Sequence, residues 1–65
     1  MEVLTWQARN KKRITLKQLE KMTGISKTTL NTIENGQTSP TLRQLEAIAI
    51  ALDMKISELY DSEYK

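Results

Sequence analysis

The chain has no cysteine and no histidine. Those two absences remove the usual ligands of a structural zinc site, the disulfides that staple small secreted domains, a thiol nucleophile and the commonest general base. The few carboxylates fall in no ligand spacing, so no metal and no cofactor are expected, and with no pocket-forming length an enzyme is not expected either. Phenylalanine is also missing, and tryptophan occurs once, which leaves the core to aliphatic side chains. Only two glycines and one proline are present, too few punctuating residues for a disordered chain and suited to a bundle of short helices. No stretch approaches the roughly 20 apolar residues of a membrane span. Residues 1–13 have no apolar run and carry their basic cluster last, unlike a signal peptide. A cytoplasmic protein with no membrane partner is the expectation.

What is present is short and polarised. Sixty-five residues suffice for one domain, 1–65, and a chain of this size buries only about 60% of the surface its unfolded form exposes. The net charge is only +2, but it is unevenly spread. Residues 1–27 hold seven basic and two acidic side chains, net +5, whereas residues 28–65 hold three basic and six acidic ones, net −3. A basic half suits a polyanionic partner.

Periodicity divides the chain into five short helices. Residues 2–12 form the first, with Leu4, Ala8 and Val3 inward, Trp6 beside that stripe, and the basic residues Lys11, Lys12 and Arg13 at the negative end of its dipole. Thr15 with Gln18 is a capping box, and Ile14 with Leu19 a hydrophobic staple. They open a second helix with Leu16, Leu19 and Met22 inward, which ends at Gly24. Ser26 caps a third helix running to about Asn35, with Leu30 and Ile33 inward and Gly36 just beyond. Thr28, Thr29, Asn31 and Thr32 are poor helix formers, so this helix depends on tertiary contacts and its polar side chains have work at the surface. After the loop Gly36–Pro40, Thr41 with Gln44 repeats the capping box and opens a fourth helix through Leu42, Leu45, Ile48, Ala49 and Leu52. Ile56, Leu59 and Tyr60 mark a fifth, and 61–65 reads as a frayed tail.

Within 15–34, Leu19, Leu30 and Ile33 are spaced to fill the wedge between two steeply crossed helices. Gly24 makes the turn and Ile25 plugs the corner beneath it, the spacing of a helix-turn-helix. The second helix of such a pair is the one that enters the major groove. The wider chain, over about residues 4–60, resembles the Cro/C1-type phage-repressor (XRE) family. The resemblance rests on Arg9, on TLKQLEKMTGIS, on TTLNTIENGQTSPTL and on LEAIAIALDMKISELY. It implies an all-α, compact five-helix lambda-repressor-like DNA-binding domain.

The resemblance also implies roles for individual residues. Arg9 and Glu34 match a largely buried ion pair that ties the first helix to the recognition helix. Ser26, Lys27, Thr28, Asn31 and Thr32 match the groove-facing surface: Lys27 suits guanine O6 or N7 or a phosphate, Asn31 adenine, and the threonine methyls thymine. Thr29 lies nearer the core, where its hydroxyl can bond back to the helix. Phosphate contacts are expected from Lys17, Asn35, Gly36, Gln37 and Arg43, with Lys11, Lys12 and Arg13 either in contact or steering at longer range. Three positions depart from the family: Leu16 replaces a clamping Gln, Glu20 a small residue, and Arg13 a Gly at a left-handed helix end. Glu20 must therefore swing outward or find a partner, for which Lys17 and Lys27 are the candidates.

The function expected is sequence-specific binding of double-stranded DNA by a small transcriptional regulator, a repressor on a near-palindromic operator. A homodimer would present two recognition helices about one DNA turn apart, and Met54, Ile56, Leu59 and Tyr60 match the surface through which relatives dimerise. The alternative is a protein-interaction module, such as an antitoxin or accessory subunit, with Trp6 and Tyr60 as anchors for a protein partner.

Overall fold

A computed structural model describes residues 1–65. Four α-helices run in order: α1 (Thr5–Lys11), α2 (Leu16–Thr23), α3 (Lys27–Glu34) and α4 (Leu42–Leu52). A two-stranded antiparallel ribbon joins the chain ends, β1 (Glu2–Val3) against β2 (Tyr60–Asp61), in the register Glu2 to Asp61 and Val3 to Tyr60. The number of helices corrects the expectation of five. Ile56–Glu58 makes a single 3-10 turn, and the chain beyond it is extended because Tyr60 and Asp61 pair with β1 while the Leu59 carbonyl accepts from the Leu4 amide at 2.8 Å. The spacing of Ile56, Leu59 and Tyr60 imitates a helical stripe, yet only Leu59 of the three is fully buried.

The same ribbon shortens α1, which begins at Thr5 rather than at residue 2, and it removes Asp61 from the supposed frayed tail. Leu4 caps α1 with no side-chain bond, and Thr5, which follows it, is buried. The first helical positions are thus set by pairing between the two ends of the chain, not by a local capping signal.

α2 and α4 start the same way, and the six residues Thr15–Glu20 and Thr41–Glu46 differ only in Lys17 against Arg43. In each, the threonine hydroxyl accepts from the glutamine amide and the glutamine carbonyl oxygen accepts from the threonine amide. Gly24 ends α2 in the left-handed region at φ 77°, where a glycine bears no Cβ penalty. Arg13 adopts φ 57° and Asp53 φ 54°, each at a cost of about 1–2 kcal/mol for an L-residue.

Ala8, Leu19, Leu30, Leu45, Ile48, Ala49, Leu52 and Leu59 form the core, with Ile14, Leu16 and Ile25 packed against its edge. Ile33 is buried as well. Two residues expected inside stay out: Met22 and Leu42 are 50% and 76% exposed. The stripe of α2 is completed by Leu16 and Leu19, and Leu42 is the first residue of α4, whose buried residues begin at Leu45.

Candidate nucleic-acid interface

α2 and α3 cross through the turn Gly24–Ser26, and Leu30 and Ile33 turn one face of α3 inward. That leaves Lys27, Thr28 and Asn31 exposed on the opposite side. None of their side chains has a hydrogen-bond or ion-pair partner within the protein, so a lysine ammonium, a hydroxyl and a carboxamide stand free along one helix face. Lys17 and Arg43, each at the second position of its helix, are exposed and unpaired too. The only ion pair in the structure lies elsewhere.

The other side chains expected on this face have internal partners. The Ser26 hydroxyl accepts from the Thr29 amide at 3.2 Å and donates to the Thr29 hydroxyl at 2.8 Å. Ser26 is therefore a working N-cap whose proton is already committed. The half-buried Thr32 donates to the Thr29 carbonyl at 2.9 Å and accepts from the Thr38 hydroxyl at 3.0 Å, which leaves mainly its methyl to face a ligand. Thr29 packs nearer the core, half-buried.

The loop after α3 also differs from a set of open donors. The Gly36 amide donates to the Ile33 carbonyl at 3.1 Å and the Gln37 amide to the Thr32 carbonyl at 2.9 Å. Gly36 at φ 74° closes the helix by the left-handed route that satisfies these last carbonyls. The Gly36 amide is thus already engaged in closing α3. Asn35 and Gln37 keep exposed side-chain amides.

α1 holds α3 from behind. Arg9 Nε donates to Glu34 Oε2 at 2.7 Å and its Nη2 to Glu34 Oε1 at 3.0 Å, a forked pair, while Nη1 donates to the Ile14 carbonyl at 2.9 Å. The two side chains are only 12% and 3% exposed. Breaking a pair this buried by removing one partner costs about 3–5 kcal/mol, because the other charge is left stranded. Both residues therefore fix the orientation of α3 and the turn before α2 and present nothing to a ligand.

Of the dimerisation candidates, Leu59 is fully buried in the protein's own core and is unavailable for a contact between copies. Met54, Ile56 and Tyr60 are half-buried. Sequence periodicity passed over Ile50, which lies on α4 and is 74% exposed. The signal was its offset from the Leu45, Ile48, Leu52 stripe, an apolar residue on the wrong side of an amphipathic helix. Trp6 is 53% exposed and lines an open cleft of about 540 Å³ between the N-terminal segment, α1 and the loop after α3.

Glu20 finds its partner in Lys27, but at the backbone and not at the side chain. Its carboxylate pairs with neither Lys17 nor Lys27 through their side chains; Oε2 accepts from the Lys27 backbone amide at 2.7 Å. The first amide of α3 is thus capped by a carboxylate from α2.

The sequence matches the family model described as "Helix-turn-helix" over residues 7–59. Among solved structures it is similar to the N-terminal DNA binding domain of SinR from Bacillus subtilis, at 27% identity and a TM-score of 0.80, over 94% of this chain and 90% of that one. No curated protein matches it.

Proposed function

The chain belongs to the helix-turn-helix family matched over residues 7–59, and from that premise we propose that it is a sequence-specific double-stranded DNA-binding transcriptional regulator whose α3 lies in the major groove and represses by occupying an operator. The observation that carries this reading is the free polar face of α3. The side chains of Lys27, Thr28 and Asn31 have no internal partners, and Lys17 and Arg43, each exposed in the first turn of its helix, are in no ion pair. Lysine donates to guanine O6 and N7, asparagine pairs with adenine, and a threonine methyl meets the thymine methyl. Lys17, Arg43, Asn35 and Gln37 contact phosphates and set the register without reading sequence. Thr32 contributes its methyl, and Ser26 acts through the geometry of the helix start.

A module this small reads a short site, and two copies on a near-palindromic operator double the contacts. Met54, Ile56 and Tyr60, with the exposed Ile50, supply the apolar surface for that pairing. The protein would act in the cytoplasm, where its DNA lies; no helix is long and apolar enough to cross a membrane.

Selection from a random double-stranded DNA library, followed by measurement of stoichiometry on the enriched site, tests the reading. Enrichment of one half-site, bound by two copies, is expected. Thr28→Ala should then weaken binding to the enriched site by roughly ten-fold while leaving random DNA nearly unaffected, the size expected of one base contact. Equal losses on both DNAs would refute base reading by this face.

A further inference from the structure

We propose that Glu20 reads a base: anchored at the start of α3, it selects a base pair that presents an exocyclic amino group, cytosine N4 or adenine N6, in the major groove. The inference rests on the reading of α3 as the helix that enters the groove, and it adds to that surface a residue from α2 that carries the opposite charge.

The geometry begins with the 2.7 Å bond from the Lys27 amide to Glu20 Oε2, short enough for a charge-assisted contact. That bond uses one carboxylate oxygen. Oε1 has no partner, and no ammonium or guanidinium pairs with Glu20, since the single ion pair joins Arg9 and Glu34. The free oxygen is held beside the N-terminal residues of the recognition helix, the part that comes closest to base edges in such motifs. An ionised carboxylate only accepts hydrogen bonds. In the major groove it is matched by the amino groups of cytosine and adenine and repelled by guanine O6 and N7 and by thymine O4. Lys27, whose amide it caps, has a side chain that only donates. The two together ask for a donor edge next to an acceptor edge, a sharper demand than either makes alone.

The protein contains its own comparison. Glu46 occupies the same place in the repeated hexapeptide at the start of α4, yet it is exposed and makes no hydrogen bond, whereas Glu20 is half-buried and held. The local sequence is shared, so it is the arrival of α3 over α2 that fixes Glu20. Leu16, one turn earlier on α2, is packed against the core and offers no polar group to the same region, which leaves Glu20 as the polar link from α2 to the start of α3.

The test is library selection carried out in parallel with the wild-type chain and with Glu20→Gln, Glu20→Ala and Glu46→Gln. In the wild-type site, one position per half-site should prefer cytosine or adenine on a given strand by roughly ten-fold. Glu20→Gln keeps an oxygen for the Lys27 amide but adds a donor, so that position should relax or shift toward guanine or adenine N7 while the remaining positions stay as they were. Glu20→Ala should lose the preference there, and Glu46→Gln should reproduce the wild-type profile. A thermal melt of each variant accompanies the selection; if Glu20→Ala does not fold, the shape-preserving Glu20→Gln decides alone. A profile for Glu20→Gln identical to wild type would overturn the assignment and leave Glu20 a helix cap, with DNA reading by α3 intact. Failure of the wild-type chain to enrich any sequence would overturn both.

Discussion

Thr5 is buried, and its hydroxyl is the one enclosed side-chain polar atom with no hydrogen-bond partner. A hydroxyl withdrawn from water without compensation costs about 1–3 kcal/mol, whereas an apolar group of the same shape costs nothing of the kind. Thr5→Val should therefore raise stability by about 1 kcal/mol, which for a domain of this size moves the melting temperature up by about 4–8 °C. Thermal denaturation followed by circular dichroism checks it, and a melting temperature that falls would mean the hydroxyl has a bound water or a backbone acceptor. DNA affinity should not change, because Thr5 is the first residue of α1 and its side chain is buried away from the surface. The contrast with Arg9 is instructive. Its guanidinium is also nearly enclosed, but it is satisfied by Glu34 on one side and the Ile14 carbonyl on the other, so its burial orients two helices instead of weakening them.

Among the elements, α2 and α4 show how much a short sequence can dictate. The repeated hexapeptide yields the same capping box twice, with the same leucine, Leu19 and Leu45, placed in the core. Replacing Thr41 by Ala removes one of the orphan-amide acceptors and should cost about 1 kcal/mol, while Thr41→Ser, which keeps the oxygen, should cost less. Urea denaturation of the three proteins separates the two outcomes, and equal losses for Ala and Ser would show that packing of the threonine methyl matters more than the cap. Signals of this local kind made α2, α3, α4 and the turn at Gly24 legible in sequence. The chain ends were not legible, because the ribbon pairs Glu2 with Asp61, a contact between opposite ends of the sequence that no local window contains. It converted an expected fifth helix into one 3-10 turn. The candidate site was legible to the level of the helix face. Which side chains on it are free was not, since that depends on where single protons go. Ser26 and Thr32 resemble Thr28 in composition, yet only Thr28 and its neighbours Lys27 and Asn31 lack internal partners.

For the whole molecule, the decisive quantity is the distribution of unpaired charge. Of the ten lysine and arginine side chains, Arg9 alone is in an ion pair, and most of the others lie in the first 27 residues with a net charge of +5. A cation that contacts a phosphate releases counterions, so binding through such contacts weakens with salt in proportion to their number. On duplex DNA the slope of log K against log salt changes by about 0.9 for each phosphate contact. Lys17→Ala should reduce that slope, whereas Lys55→Ala, which lies beyond α4 in the acidic half of the sequence, should leave it unchanged. The size of the change also counts copies. A single protein on its site loses one contact and about 0.9 from the slope; two copies assembling together on a palindromic site lose two contacts and about 1.8. If the overall binding constant for the operator falls with the larger difference, two copies are bound in equivalent positions, and Ile50→Glu should then abolish the cooperativity of that binding while leaving the melting temperature of the free protein in place. An unchanged slope for Lys17→Ala would remove the start of α2 from the interface and require the docking of α3 to be redrawn around Arg43 alone.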